Sequence, residues 1–245
     1  MAVQSKAAAV GFWVVIAALL LLLSGPAGAH LGLWHPLTGF VLFMASAFVG
    51  GGTGLILSLL GLRGPPAGKA RAKTALGLSL ALLAVIAAAL VMGGRVPAIH
   101  DITTDTEDPP AFDQAQHLPA NRGRDLSYPH GNPQTPQKQR QAYPGIKTLR
   151  LEIAPEEAFQ RALASAQAMG WSITWSNRDL KRFEAFDQTA FFRFADDVSV
   201  RVRAVAKGGS EIDVRSCSRV GQSDFGTNAH RIREFLNRLE SPSPS

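Results

Sequence analysis

Three uncharged apolar runs constrain this chain before anything else: residues 7–23 ("AAAVGFWVVIAALLLLL"), 37–60 and 74–93. Each approaches the roughly 20 residues that a helix needs to cross a bilayer. One charge at a helix centre costs about 2.5–3.5 kcal/mol on insertion, so charge-free runs of this length are the signature of spanning helices. Charge divides the chain at the same place. All 19 acidic residues lie at or beyond Asp101, and only six of the 25 basic residues precede it: Lys6, Arg63, Lys69, Arg71, Lys73 and Arg95. The chain from Asp101 onward is balanced, 19 basic against 19 acidic. The net charge of +6 therefore belongs to the membrane part and gives no footing for nucleic-acid binding.

The first run has two readings. It is a retained helix, or it is a signal peptide with Lys6 before its apolar core and Ala27 and Ala29 placed for cleavage before His30. Loop 61–73, with Arg63, Lys69, Arg71 and Lys73, is expected to face the cytoplasm. The third helix then leads outward, and everything after Arg95 lies on the far side, the periplasm if the membrane is the inner membrane of a Gram-negative bacterium. The bilayer is the first expected partner. Gly50 and Gly54 have the spacing of a close helix contact, within the chain or between copies. No ionisable residue interrupts any run, which argues against an ion or proton path.

Beyond Arg95 the composition changes. The stretch "RVPAIHDITTDTEDPPAF" is too rich in acids, threonine and proline for a helix, and reads as an extended segment tied to the next domain. Residues 113–146 are rich in Gln, Pro, Asn and Arg, the composition of a long surface loop, so that 96–146 is an extended segment and loop. Regular structure is expected over 147–240. Leu149 and Leu151 alternate with polar neighbours, and Pro155, Glu156 and Glu157 open a helix whose positive end suits acids. Phe159, Ala162, Leu163, Ala166 and Met169 share one face of it, and Gly170 ends it. Extended runs come next at 171–176, 182–186, 190–194, 198–205 and 211–218, the last two joined by the turn signal Lys207, Gly208, Gly209, Ser210. Alternation places Val198, Val200, Val202, Ile212 and Val214 on one face, and Arg201, Arg203, Asp213 and Arg215 on the other.

A final helix, about 224–240, carries Phe225, Ala229, Ile232, Leu236 and Leu239 as a buried stripe, with Arg231, Arg233, Asn237 and Arg238 elsewhere on the cylinder. The expected fold class is membrane-anchored α+β: two or three N-terminal transmembrane helices, then an antiparallel sheet of about five to six strands with two helices packed on one face. Residues 241–245, "SPSPS", read as a frayed tail.

The candidate site is "RSCSRVGQSDFGTNAHRIREF", residues 215–235. Its structural role is plain: Ser223 or Asp224 caps the final helix, and Gly221 and Gly226 permit the turn. Its functional reading gathers Arg215, Arg219 and Arg231 near a helix N-terminus, where a carboxylate, phosphate or lipid headgroup would be held, with Glu211 and Asp213 neutralising them across the hairpin. Ser216, Ser218, Ser223, Asp224 and Asn228 complete the ligand-binding set. Nucleophilic attack by Ser216, Ser218 or Cys217 with His230 as base lacks a G-x-S-x-G elbow. Cys217 is the sole cysteine, so it forms no disulfide within the chain; it reads as a shielded thiol, or as one that pairs between chains. His100, Asp101 and Asp105 are too loose a cluster for a metal, and Asp196 and Asp197 suit the flanks of a turn. No cofactor or metal is implied.

The stretches "HDITTDTEDPP", "GWSITW", "FADDVSVRVRA" and above all "DVRSCSRVGQSDFGTNAHRIREFL" resemble the domain of unknown function (DUF) family 1499 over roughly residues 97–240. The resemblance implies a boundary near residue 95 and brings no reaction, ligand or catalytic residue. The expected role is a membrane-anchored extracytoplasmic domain for binding or assembly in the cell envelope, with envelope proteins or anionic lipid as further partners. Competing readings are an envelope hydrolase or transferase using residues 215–231, and a structural membrane subunit. Geometry separates them, because an enzyme gathers Ser216 or Ser218, His230 and an acid around one cleft.

Overall fold

A computed structural model describes residues 5–129, 131–206 and 208–241. It divides into two units: Met1–Arg95 with Ala190–Arg193, and Val96–Thr189 with Phe194–Ser245. Lys207 of the expected turn and residues 242–245 of the expected tail lie outside the described residues.

The first unit holds three helical rods, each long and apolar enough to cross a membrane. Helix α1 spans Lys6–His30, with Ser5 Oγ accepting from the Ala8 N–H at its start. The second rod runs unbroken over Pro36–Leu62 as α2 (Pro36–Ala45), a π-helical turn (Ser46–Gly50) and α3 (Gly51–Leu62). Helix α4 spans Lys69–Gly93. The helices outrun the charge-free stretches because backbone hydrogen bonding continues through flanking Lys6, Lys69, Arg71 and Lys73. Buried residues of α1 recur every three or four positions, at Ala8, Gly11, Val15, Ala18, Leu22 and Gly25. Small residues let the backbones close on one another. A Cβ on Gly50 would stand 2.2 Å from Ala18 Cβ, and one on Gly54 would stand 2.2 Å from Val15 Cγ2 and 2.5 Å from Ser79 Oγ. The Gly50 and Gly54 pair therefore serves contacts of the second rod with α1 and α4 of the same chain.

The second unit is a six-stranded antiparallel sheet: β1 (Asp101–Thr103), β2 (Leu149–Leu151), β3 (Ser172–Asn177), β4 (Arg182–Gln188), β5 (Ala195–Val205) and β6 (Gly209–Ser218). Its order is β1-β6-β5-β4-β3, and β2 pairs with the stretch of β6 that β1 leaves open. Helix α6 (Pro155–Ala168) and helix α7 (Thr227–Glu240) cover one face. Val198, Val200, Val202, Ile212 and Val214 are buried there with Phe159, Ala162, Ala166, Ile232 and Leu239. Gly170, at φ +82, turns the chain out of α6, a conformation that side chains rarely adopt.

Three expectations are corrected. Residues 190–194 are not a strand but the turn between β4 and β5, closed where Thr189 N–H donates to Phe194 O (2.8 Å) and Phe194 N–H donates to Thr189 Oγ1 (3.0 Å). Helix α7 begins at Thr227, so Phe225 precedes it and is exposed. Phe235 takes the core position instead, stacked on Trp171 with ring centroids 4.9 Å apart. The 113–146 stretch is more than a loop: it carries two 3₁₀ turns (Ala115–His117, Pro119–Asn121) and helix α5 (Thr135–Ala142). Gln139 of α5 is buried, and its amide accepts from Thr103 N–H (3.0 Å) and donates to Thr103 O (2.6 Å). It thereby satisfies the outer edge of β1 as another strand would.

Candidate functional site

The end of β6 alternates between faces, and this splits the predicted set. Ser216 and Ser218 point to the helix side, whereas Arg215 and Cys217 point to the side covered by residues 101–128. The three arginines therefore do not converge. Each meets its own carboxylate.

On the covered side, Arg215 Nε and Nη2 hold both oxygens of Asp101 at 2.7–3.2 Å. Its Nη2 also donates to Leu126 O (2.9 Å), and its guanidinium lies 4.7 Å from the Phe112 ring centre and 5.4 Å from that of Tyr128. Asp197, fully buried, accepts from Arg219 at 2.7–3.2 Å, from Arg124 at 2.9 Å and from Asn121 at 3.0 Å. Arg124 further donates to Asn121 Oδ1 and to Ser218 O (2.8 Å). Asp213, expected with Glu211 to neutralise Arg215, Arg219 and Arg231, is also buried and takes Arg201 (3.0 Å), Arg203 (2.8 Å) and Thr148 Oγ1 (2.6 Å) instead. Glu211 pairs with Arg150 (2.8 Å). Glu184 is fully buried and receives the backbone N–H groups of Asp113, Gln114 and Ala115, while burial pushes its carboxyl above the ordinary range against their pull.

On the helix side, Ser216 Oγ donates to Asn228 Oδ1 (2.6 Å) and accepts from Arg231 Nη1 (3.0 Å). Asn228 Nδ2 donates to Ser218 Oγ (2.9 Å) and to His100 O (3.0 Å). Arg231 reaches Asp187 (2.8 Å) and Asp196 (2.7 Å). Burial raises the Asp196 carboxyl above the ordinary range, opposed by Arg231. Gly226 is the N-cap residue of α7, and the carboxylate of Asp224, two residues before it, caps the first turn by accepting from Asn228 N–H (2.8 Å) and Gly226 N–H (2.9 Å). Ser223 accepts only a long bond, 3.4 Å, from Phe225 N–H.

His230 is exposed on α7, away from the buried Ser216 and Ser218. Cys217 is buried with Phe112, Ala115 and Leu126, and burial pushes its thiol well above the usual range. Asp196 and Asp197, expected beside a turn, follow the β4–β5 turn as the second and third residues of β5, opposite Ser218 and Cys217. They tolerate burial because guanidinium groups meet them. Asp101 and Asp105 are occupied by Arg215 and by the Arg201–Arg203 pair, and no group of three His, Cys, Asp or Glu gathers as a metal site among the described residues.

A cleft of about 410 Å³ opens beside this layer, lined by Phe112, Asp113, Arg124, Asp125, Tyr128 and Arg215 among others. Sequence reasoning missed Asn121, Arg124, Gln139 and Glu184. The first three sit in a stretch with no periodicity, so nothing local marks them as buried. Glu184 is a carboxylate set among Phe183, Ala185 and Phe186, and that interruption was the available signal.

No curated protein matches the chain. A family described as "Protein of unknown function (DUF1499)" matches residues 101–239, from the strand that supplies Asp101 to the last turn of α7, and the chain belongs to that family.

Proposed function

We propose that this chain is a membrane-anchored domain outside the cytoplasm, held in a bacterial inner membrane by its three apolar helices, whose work is binding or assembly in the cell envelope rather than bond-making. The orientation rests on the basic 61–73 loop and the odd number of rods. One observation carries the choice of binding over catalysis. Ser216 and Ser218 are buried and bonded to Asn228 and Arg231, while the imidazole that would serve them as a base, His230, is exposed on α7.

Within that reading, an anionic headgroup is met at Arg219 and Arg124. These two share Asp197, so the trio keeps one positive charge, and both side chains retain some exposure, 14% and 19%. Arg215 is wholly matched by Asp101 and is buried.

Two measurements on the detergent-solubilised full chain test the proposal. A fluorophosphonate probe is expected to leave Ser216 and Ser218 unmodified; labelling of either, abolished by its replacement with Ala, overturns the binding reading. Native mass spectrometry with added phosphatidylglycerol is expected to show retained lipid that Arg219→Gln diminishes. Equal retention in both forms removes Arg219 from the site.

A further inference from the structure

The β4–β5 turn carries an aromatic tip, Ala190, Phe191, Phe192 and Arg193, in a domain whose neighbouring strands are charged. The tip is a closed loop, pinched by the two Thr189–Phe194 hydrogen bonds, so its side chains project as a unit. Phe191 is 54% exposed. A phenyl ring held in water at the end of a rigid hairpin calls for an apolar surrounding.

By its contacts, Ala190–Arg193 groups with the helical unit. Phe192 meets Phe40 and Phe43 of α2 edge to face, with centroids 5.4 Å apart in each case, and Phe191 meets Phe43 at 5.7 Å. His30, at the end of α1, lies 2.8 Å from Ala190 O through Nε2, which donates because a carbonyl can only accept. Phe40 and Phe43 are the fifth and eighth residues of the Pro36–Leu62 rod. At 1.5 Å per residue they stand about 6–10 Å below its end. That is the depth of the boundary between headgroups and acyl chains, where aromatic belts collect and interfacial segments lie. Arg193 comes next at the tip, with a stem long enough to bring its charge back to the headgroups.

We infer that the β4–β5 hairpin is a second membrane contact of this chain, with the exposed ring of Phe191 seated among phospholipids at the bilayer boundary beside α2. The inference rests on the reading that the rods span a membrane. It is consistent with the proposed orientation, because the basic loop at the other end of the second rod leaves the Pro36 end facing outward.

The test uses the full chain in vesicles of phosphatidylethanolamine and phosphatidylglycerol, with a nitroxide on single introduced cysteines; buried Cys217 stays unlabelled. Labels are placed at Phe191→Cys, at Val41→Cys on the exposed side of α2, and at Leu180→Cys in the β3–β4 turn, about 20 Å away along β4. Ala190→Cys provides a second tip position should Phe191→Cys fold poorly. Collisions with oxygen report acyl chains, and collisions with a soluble nickel chelate report water. The tip label is expected to match Val41, with high oxygen and low nickel contact, while Leu180 shows the reverse. Nickel contact at the tip equal to that at Leu180 overturns the inference, as does shielding from both reagents, which would place the ring inside protein. Nickel contact at Val41 itself would instead defeat the membrane reading on which the inference rests.

Discussion

Arg215 and Asp101 meet diagonally across the β1–β6 pairing, in which Asp101 lies opposite Cys217 and Thr103 opposite Arg215; both side chains are almost wholly out of water, and the guanidinium holds the carboxylate through Nε and Nη2 at 2.7–3.2 Å. The pair joins the first strand of the family domain to its last. Because Arg215 also donates to Leu126 O and lies against Phe112 and Tyr128, it holds down the segment that covers the sheet.

A buried ion pair adds little over an apolar replacement of the same shape, but losing one member strands a charge. Asp101→Asn and Arg215→Met are each expected to destabilise the domain by about 3–5 kcal/mol. The double variant should lose less than the two single losses together. Urea unfolding of the full chain in detergent, followed through Trp171 and Trp175, measures all four forms. Additive losses would mean that the two residues act independently.

The cap of α7 distinguishes two residues that the sequence left level. Asp224→Ala removes the acceptor of two backbone N–H groups and is expected to cost about 1 kcal/mol. Ser223→Ala should change stability by less than about 0.5 kcal/mol. A larger loss at Ser223 would reverse the assignment.

At the first turn of α6, hydrogen bonds from Lys181, then Gln160, and also Arg178, hold the Glu156 carboxyl down to about 2. A carboxyl whose folded value lies below its unfolded one stabilises the fold above the unfolded value, near 4.3. That contribution is lost as pH falls through about 2. The gap in unfolding midpoint between the native chain and Glu156→Gln should therefore shrink as the pH is lowered from about 4.5 towards 2. A gap that stays constant would show that the ionised form makes no such contribution.

Cys217 is fully buried, with a thiol pushed far above its usual range by burial. Reaction with a maleimide at neutral pH is expected only after denaturation, since the thiolate is the nucleophile. Rapid labelling of the folded chain, or a disulfide-linked dimer under native conditions, would contradict the burial.

Much of the fold was legible in local pattern. The apolar runs marked the three rods, and period-two alternation placed Val198, Val200, Val202, Ile212 and Val214 in the core. Misreadings arose where local pattern and tertiary environment part. Residues 190–194 have strand-like composition, yet they form an aromatic turn. Arg231 lies off the apolar stripe of α7 yet is only 4% exposed, because Asp187 and Asp196 from the neighbouring strands receive it. Residues 113–146 looked like a surface loop because their order comes from side-chain contacts rather than periodicity.

By itself the sequence determined the class of this protein: an apolar helical part followed by an α+β domain, with the boundary near residue 95. Periodicity and charge distribution belong to the chain locally and survive without any knowledge of folding. Only the tertiary structure decided the meaning of the 215–235 segment. Its arginines read as a ready anion pocket until Asp101, Asp197, Asp187 and Asp196 arrived from distant strands to meet them. Which carboxylate meets which guanidinium depends on strand register and on faces brought together across as many as 114 residues, and no local pattern carries that information.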